Sequence, residues 1–290
     1  MSSNHTSHEE RTATQRREAG IENVKLRHIE QVNETIRLMR LYSIDKDHTI
    51  KFSPGQWLDV FLPGLSKAGG FTITSTPREA VPTAESPAYL ELAIQKSKNP
   101  PAQWLWQPVD EISDSTIQVR VGGNFTWPPT PPIPTEINRL VLIAGGVGIN
   151  PLISVFAHLM QQRPQDRPKE IVFMYGTKAY GLPINATHIL FLPRLVELLK
   201  QQGGGSGLQL RLFLTRTAKD DLSNAVGLPE DVTCGRISEA DLDSSLGESS
   251  KMQGTVCYVC GPQVMTDSFV EFLSSRPGMS EERVLCEKWW

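Results

Sequence analysis

The segment LVLIAGGVGINP, residues 140–151, decides the fold of the second half of the chain. A continuous apolar run ends in glycines, and Pro151 stands where the first turn of a helix would begin. Proline suits that position because its missing N–H is not needed there. A strand that turns through glycines into a helix brings free N–H groups and a partial positive charge up to a pyrophosphate. The spacing G-G-x-G-x-x-P therefore predicts a dinucleotide-binding turn, although a tight connection alone would also use glycines.

A second glycine turn lies near the C-terminus, in YVCGPQVM, residues 258–265. Another apolar run ends in Cys-Gly-Pro and enters a segment typical of a helix. Ligands of parallel sheets bind beyond the carboxyl ends of the strands, so we expect the two turns to flank one crevice. The candidate dinucleotide-binding residues of the two turns are Gly145, Gly146, Val147, Gly148, Ile149, Asn150, Pro151, Gly261 and Pro262.

The sequence pattern changes on either side of a proline cluster. After it, the apolar runs LVLIA, IVFMYG, LQLRLFLTR and TVCYVC alternate with amphipathic segments, which predicts a parallel sheet covered by helices on both faces. Before it, the short segments IRLMRLY, QWLDVFL, FTITS, YLELAI and TIQVRV are separated by Pro and Gly, which indicates a small antiparallel sheet or barrel. We therefore predict a β domain followed by an α/β, Rossmann-like domain.

The length of 290 residues agrees with two domains at roughly 150 residues each. The cluster consists of Pro128, Pro129, Pro131, Pro132 and Pro134, which can continue neither a strand nor a helix. We predict a disordered polar tail over residues 1–20, the β domain over residues 21–134 and the α/β domain over residues 135–290.

Composition excludes several classes of protein. Lys and Arg number 29 and Asp and Glu number 32, so the net charge of −3 gives no reason to expect nucleic acid or an anionic membrane as a partner. The longest apolar stretch, residues 140–148, is too short to span a bilayer. The first twenty residues lack the apolar region of a secretion signal and carry acids, which mitochondrial presequences usually avoid. An intracellular location, cytoplasmic or mitochondrial, is expected.

The four cysteines are too few for a disulfide scaffold. Cys257 and Cys260 form C-x-x-C, but residues three apart on a strand point to opposite faces, so the two thiols should diverge. No second Cys pair or Cys/His cluster accompanies them, and we expect no metal site.

The motifs together resemble the ferredoxin–NADP reductase superfamily over residues 21–290. G-G-x-G-x-x-P and C-G-P-x-x-M resemble its NAD(P)-binding domain, and FSPGQW at residues 52–57 is similar to the F-x-P-G-Q-aromatic motif of its flavin barrel. The resemblance implies an antiparallel flavin-type barrel that holds FAD, rather than FMN, and a second domain that delivers a nicotinamide to it. Hydride would pass from nicotinamide to flavin. Because the chain has no fused iron–sulfur or haem motif, the electron acceptor would be separate: another redox protein, a quinone or a small molecule.

The resemblance also implies roles for single residues. Thr72 matches the residue that contacts the reactive nitrogen of the flavin, and Cys260 matches the cysteine beside the nicotinamide. Trp290, in preference to Trp289, matches a terminal aromatic residue that stacks on the flavin ring. Each residue also has a simpler alternative. Thr72 would be an ordinary strand residue, Cys260 a small buried residue, and the terminal tryptophan a hydrophobic anchor. The neighbours of Thr72 that would line the flavin are Phe71, Ile73 and Thr74.

Two departures concern the flavin. The superfamily's R-x-Y-[ST] strand places Arg on the flavin phosphates and Tyr on the ring, but this chain has Gly69 and Phe71 there. The superfamily's G-x-x-S becomes NPPA at residues 99–102, where we expect a short helix capped by Asn99. A lost charge-assisted hydrogen bond weakens binding by about ten- to a hundredfold. We expect a loosely held flavin, unless the helix N-terminus near Pro100 donates to the phosphates instead.

Two further questions stay open. Lys178 and Arg216 follow predicted strands where they could meet a 2′-phosphate, but the lack of a clear basic cluster favours NADH over NADPH. The alternative to a flavin-dependent oxidoreductase is a non-catalytic NAD(P)-binding or scaffold protein with a degenerate flavin site.

Overall fold

The computed structural model describes residues 7–45, 47–130, 133, 136–203 and 207–288, without the side chains of residues 249–251. The chain forms two compact units, one ending at Pro128 and the other running from Pro129 to Lys288. The division coincides with the first prolines of the cluster. We describe each unit by itself.

The first unit is a six-stranded antiparallel sheet in the order β4-β3-β6-β1-β2-β5. Its strands are β1 (Glu22–Asn33), β2 (Ile36–Ser43), β3 (Trp57–Phe61), β4 (Gly69–Thr72), β5 (Tyr89–Gln95) and β6 (Thr116–Gly122). Its helices are α1 (His8–Arg11), α2 (Pro100–Leu105) and α3 (Val109–Ile112). An isolated bridge between Ile73 and Leu92 joins the two edge strands, β4 and β5, and closes the sheet into a barrel. The predicted antiparallel barrel is confirmed.

The barrel core follows from strand alternation. Leu58 and Val60 of β3 are buried in one apolar cluster with Val119 and Val121 of β6, whereas Trp57 and other alternate residues point outward. Ala102 and Leu105 of α2 belong to the same cluster, so this short helix caps the core. The helix begins after Asn99, as predicted, although the Asn99 side chain makes no capping hydrogen bond.

Residues 7–20 pack against the outer face of the barrel. The His8 side chain lies edge-on to Trp57, with ring centroids 4.6 Å apart, and occupies the space that a β-carbon on Gly70 would need. The Trp57 indole N–H donates to Gln15 at 3.1 Å. The prediction of a disordered tail is therefore wrong for these residues.

A buried carboxylate explains this docking. Asp59 is fully buried on the outer side of β3, and it accepts hydrogen bonds from Arg17 and Arg120, each with an Nε donor at 2.9 Å. His8 Nε2 lies 3.1 Å from the other carboxylate oxygen. Burial acts to raise the pKa of Asp59, but its contacts with His8, Arg17 and Arg120 outweigh burial and lower the pKa to about 2.

The second unit is a six-stranded parallel sheet in the order β10-β9-β8-β7-β11-β12. Its strands are β7 (Arg139–Gly145), β8 (Glu170–Lys178), β9 (Leu208–Thr215), β10 (Val232–Cys234), β11 (Thr255–Cys260) and β12 (Val284–Glu287). Its helices are α4 (Ile149–Met160), α5 (Leu192–Gln201), α6 (Glu239–Leu246) and α7 (Gln263–Ser274). The central strands are buried along nearly their whole length, as expected for a parallel sheet with helices on its faces. The predicted α/β fold is confirmed.

The cysteines of β11 diverge as predicted. Cys257 packs in an apolar cluster with Val259 on one face of the sheet, and Cys260 lies out of phase with them. All four cysteines are free. Within the described ranges, no group of three or more His, Cys, Asp or Glu side chains could hold a metal ion, and no helix is long and apolar enough to cross a membrane.

Candidate functional site

The two glycine turns lie next to each other at the carboxyl ends of two neighbouring strands of the parallel sheet. β7 ends at Gly145, β11 ends at Cys260, and the two strands are parallel neighbours with Ala144 beside Cys260. Strands β8 to β10 continue on one side of β7, whereas β11 and β12 lie on the other. The turns therefore flank the point where strand order reverses, which is where open α/β sheets bind ligands. The predicted juxtaposition of the two turns is confirmed.

Gly146 is the open position of the first turn. Its φ of +54° is in the left-handed region that favours glycine, and a β-carbon there would meet no atom within 4 Å. The backbone of residues 146–148 forms one 3-10 turn that leads directly into α4, a helix of 12 residues. The first N–H groups of such a turn have no intrahelical acceptor. This open backbone fits a pyrophosphate.

The other glycines of the two turns serve close packing within the protein. A β-carbon on Gly148 would lie 2.6 Å from the backbone nitrogen of Gly261 and closer still to the carbonyl oxygen of Cys260. A β-carbon on Gly145 would lie 2.7 Å from the sulfur of Met265. These glycines allow the ends of β7 and β11 to approach each other, and Gly148 is not the open position over which a ligand would lie.

Accessibility separates the predicted ligand contacts into two groups. Val147 and Gly261 are half-buried and Pro262 is exposed, so these three can meet a ligand. The side chain of Ile149 is fully buried in the core, so a contact of this residue with a ligand would involve its backbone and stays a prediction. The other two helical candidates, Asn150 and Pro151, are also buried, and their roles stay predictions.

Glu287 is a functional candidate that the sequence analysis missed. It lies on β12 in register with Cys260, and both residues are almost completely buried. No described residue donates a hydrogen bond to its Oε1 atom. Burial raises the pKa of Glu287 to about 8, so the carboxyl group holds a proton at neutral pH. A single acid at the end of VLCE gives no sequence sign of burial; only its pairing with the Cys-Gly-Pro strand reveals it.

In the barrel, Thr72 is 4% exposed, and its hydroxyl makes no hydrogen bond with any residue that the structure describes. Its contact with a flavin stays a prediction. Phe71 is half-buried against the barrel core. Ile73 and Thr74 were predicted to line the flavin, but Ile73 is buried in the core and the Thr74 hydroxyl donates to Glu91 at 2.9 Å. Neither side chain is therefore placed to line a flavin, which corrects both predictions.

The residues that would face the phosphates of a flavin offer few hydrogen-bond donors. A β-carbon on Gly69 would lie 2.5 Å from the β-carbon of Pro101 and 2.6 Å from the Phe71 ring, so the space beside residue 69 is filled. Pro100 and Pro101 begin α2 and have no N–H to donate. The residues at the ring end fit a flavin, and those at the phosphate end do not. The expectation that the helix N-terminus compensates for the missing Arg is not supported.

Three cations lie at the carboxyl ends of adjacent strands in the parallel sheet. Lys178 ends β8 beside Thr215 of β9, Arg216 follows directly, and Arg236 comes two residues after β10. All three are exposed, and none forms an ion pair within the described part of the chain. Lys178 lies over the ring of Tyr180 at 4.7 Å. The predicted Trp290 contact, like Trp289, lies outside the described residues.

The fold and the two glycine turns define a class of protein, one with an antiparallel barrel followed by an NAD-binding parallel sheet. The family model for the oxidoreductase NAD-binding domain matches residues 142–271. The ferredoxin NADP+ reductase from Neisseria gonorrhoeae, solved with bound FAD and NADP, has this fold with a TM-score of 0.64 and 14% identity over 93% of this chain and 99% of that one. The CS-b5R domains of human Ncb5or give a TM-score of 0.69 at 18% identity, over 93% of this chain and 70% of that one.

Sequence relatives define the family more narrowly. Oxidoreductase NAD-binding domain-containing protein 1 of Xenopus tropicalis is 34% identical, over 98% of this chain and 84% of the relative. The human protein of the same name is 33% identical, over 98% and 85%. The chain belongs to the family of oxidoreductase NAD-binding domain-containing protein 1. Its NAD-binding domain and reductase fold support an oxidoreductase or electron-transfer activity that uses a nicotinamide dinucleotide.

Proposed function

We propose that this protein is a flavin-dependent NAD(P)H oxidoreductase that passes electrons to a separate acceptor. A bound nicotinamide would supply a hydride to a flavin ring. The observation that carries the proposal is the open backbone at Gly146, which lies at the start of α4 and next to the carboxyl end of β11. An anion-binding turn at the strand-order reversal is suited to a dinucleotide pyrophosphate.

The residues beside this turn have separate tasks. The backbone at Gly146 and Val147 binds the pyrophosphate, and the end of β11 positions the nicotinamide through Cys260 and Gly261. Glu287 holds a proton at its carboxyl group next to Cys260, which keeps this buried edge neutral when an uncharged ring lies against it. In the barrel, the Thr72 hydroxyl is free to hydrogen-bond to a flavin ring.

The strand-end cations favour a coenzyme with a 2′-phosphate. Lys178, Arg216 and Arg236 end three adjacent strands without an acidic partner in the described ranges. Isolated cations at this edge of a Rossmann-like sheet accommodate the 2′-phosphate of NADPH. The three strand ends become neighbours only in the folded sheet, because they are separated in sequence. We therefore extend the expected use of NADH to NADPH.

Relatives suggest the kind of acceptor. The reductase component of propane 2-monooxygenase from Mycolicibacterium goodii is 25% identical over 77% of this chain and 55% of its own length. The cytochrome P450 reductase GcoB of Amycolatopsis has the same fold, with a TM-score of 0.66 at 18% identity. Both names describe proteins that serve a partner, which supports a separate redox protein as acceptor here.

The test is anaerobic reduction of the purified full-length chain supplemented with FAD. Adding NADH or NADPH should bleach the visible flavin absorption, and ferricyanide should then be reduced faster than by free FAD with the same coenzyme. Heat-denatured protein with FAD is the control for free flavin. No bleaching and no reduction above the free-flavin rate would contradict the proposal.

The filled space beside Gly69 favours a second candidate, a non-catalytic NAD(P)-binding or scaffold protein with a degenerate flavin site. It predicts calorimetric binding of NADH or NADPH, no flavin binding and no dye reduction. The same experiment separates the two candidates, because only the first transfers electrons.

A further inference from the structure

The flavin-binding end of the barrel is asymmetric in its chemistry. At the ring end, the Thr72 hydroxyl has no hydrogen-bond partner among the described residues, and Phe71 offers an aromatic side chain. At the phosphate end, Gly69 has no side chain, and Pro101 occupies the space beside it. What this asymmetry means for flavin binding rests on the proposed flavin-dependent function.

Pro101 closes the space in which a residue 69 side chain would reach a phosphate. The β-carbon and γ-carbon of Pro101 would lie 2.5 and 3.0 Å from a β-carbon on Gly69, and the Phe71 ring would lie 2.6 Å away. Pro101 is itself buried where α2 packs on the barrel core. No cation at position 69 could therefore be accommodated without moving α2. The space beside residue 69 is therefore closed by the protein itself.

The backbone offers no substitute donor set. Pro100 and Pro101 occupy the first two positions of α2 and have no N–H. The N–H of Gln103 donates to the carbonyl of Asn99, which leaves Ala102 as the one N–H of the first three helical positions. A helix of six residues with a single available N–H is a poor anion site.

We infer that the barrel recognises the ring and ribityl end of a flavin and makes no energetically significant contact with its phosphates. Each charge-assisted phosphate contact would tighten binding by about ten- to a hundredfold. Without such contacts, riboflavin, FMN and FAD bind with dissociation constants within about threefold of one another. The flavin is then an exchangeable ligand that separates from the protein on dilution and gel filtration.

The experiment titrates the full-length, flavin-free chain into riboflavin, FMN and FAD and follows flavin fluorescence at two salt concentrations. We expect three similar dissociation constants that change little with salt, because no phosphate is neutralised. A dissociation constant for FMN or FAD more than tenfold below that of riboflavin, or one that rises steeply with salt, would overturn the inference but leave the proposed function standing.

A variant tests the ring end separately. Thr72→Ala should weaken all three flavins by the same factor, about five- to tenfold, because the lost hydrogen bond involves their common ring. The matched control is Thr116→Ala, an exposed threonine on β6, which should leave all three constants unchanged. Unequal effects of Thr72→Ala on riboflavin and FAD would count against ring-end recognition. If no flavin binds while NADPH still does, the inference and the flavin-dependent function both fail, and the non-catalytic candidate stands.

Discussion

Gly148 and Cys260 meet backbone to backbone where β7 and β11 end. A β-carbon on Gly148 would overlap the carbonyl oxygen of Cys260, so the turn and the neighbouring strand can approach only because residue 148 has no side chain. The glycine-rich sequence therefore serves two purposes. Gly148 and Gly145 bring two strand ends together, and Gly146 opens the backbone to a ligand.

Substitutions at Gly148 and Gly146 should have different effects. Gly148→Ala should lower the free energy of unfolding by about 2 kcal/mol or more, because overpacking against rigid backbone is not relieved by a rotamer change. Gly146→Asn should nearly preserve stability, since Asn tolerates the left-handed backbone, but should weaken NADPH binding at least tenfold by filling the open space. Urea denaturation and calorimetric titration measure the two effects. Loss of binding without loss of stability in Gly148→Ala would contradict this division of roles.

Asp59 should carry much of the acid sensitivity of the first unit. Asp59→Asn should lower the free energy of unfolding by about 3–5 kcal/mol at neutral pH, because Arg17 and Arg120 lose a buried carboxylate. The pKa of Asp59 is lowered to about 2, so its contribution is fully present above about pH 4 and is lost as the pH falls towards 2. Urea denaturation between pH 2.5 and 7 checks this.

The control for Asp59 is Asp114→Asn. Asp114 pairs with Arg27 at 2.5 Å, but both side chains are more than half exposed, so the change should lower the free energy of unfolding by less than about 1 kcal/mol. An equal loss of the free energy of unfolding in the two variants would show that the buried Asp59 network stabilises the protein no more than an exposed ion pair does.

Glu287 should make the protein less stable as the pH rises. Its pKa is raised to about 8 in the folded state, so the folded chain binds the proton more tightly than the unfolded chain. The contribution of Glu287 to the free energy of unfolding is fully present below the ordinary pKa of a glutamate. As the pH rises above that pKa, the contribution falls by roughly 1 kcal/mol per pH unit until about pH 8. Glu287→Gln should remove this slope between pH 5 and 8 in a series of urea melts. Glu271→Gln, at an exposed site on α7, should leave it, and an unchanged slope in Glu287→Gln would exclude the assignment.

Arg216 should distinguish the two coenzymes. Arg216→Ala should raise the dissociation constant of NADPH about tenfold and leave that of NADH unchanged, because only NADPH carries the 2′-phosphate. Calorimetric titration with both coenzymes measures this. Lys219→Ala, an exposed lysine in the following 3-10 helix, should affect neither coenzyme. Equal weakening of NADH and NADPH by Arg216→Ala would place Arg216 away from the 2′-phosphate.

Local sequence patterns were sufficient for the fold. Period-two segments before the prolines and buried apolar runs after them determine the two sheets, and glycine spacing located both turns because only glycine permits those close approaches. Side-chain direction is harder to predict: Ile73 and Ile149 belong to candidate binding segments, yet their side chains are buried. The sequence carries no sign that Glu287 is buried, because its burial depends on the pairing of β12 with β11.

The docking of residues 7–20 escapes prediction for a similar reason. Composition predicts a disordered tail, yet the buried Asp59 needs polar partners, and Arg17 and His8 of that segment are two of the three side chains that contact it. A polar residue in the middle of QWLDVFL could have shown that something must cover β3.

The docking of residues 7–20 has a practical consequence for anyone who shortens this protein. A chain cut to begin at residue 21 would keep every strand of both sheets, yet it would remove the ring that lies over Gly70 and the acceptor for the Trp57 indole. Of the three side chains that contact Asp59, Arg120 would then be the one that remains. The outer side of β3 and β4 would become a solvent-exposed apolar patch that favours self-association. A shortened chain that keeps these contacts must therefore retain the segment from the capped turn at Ser7 onward.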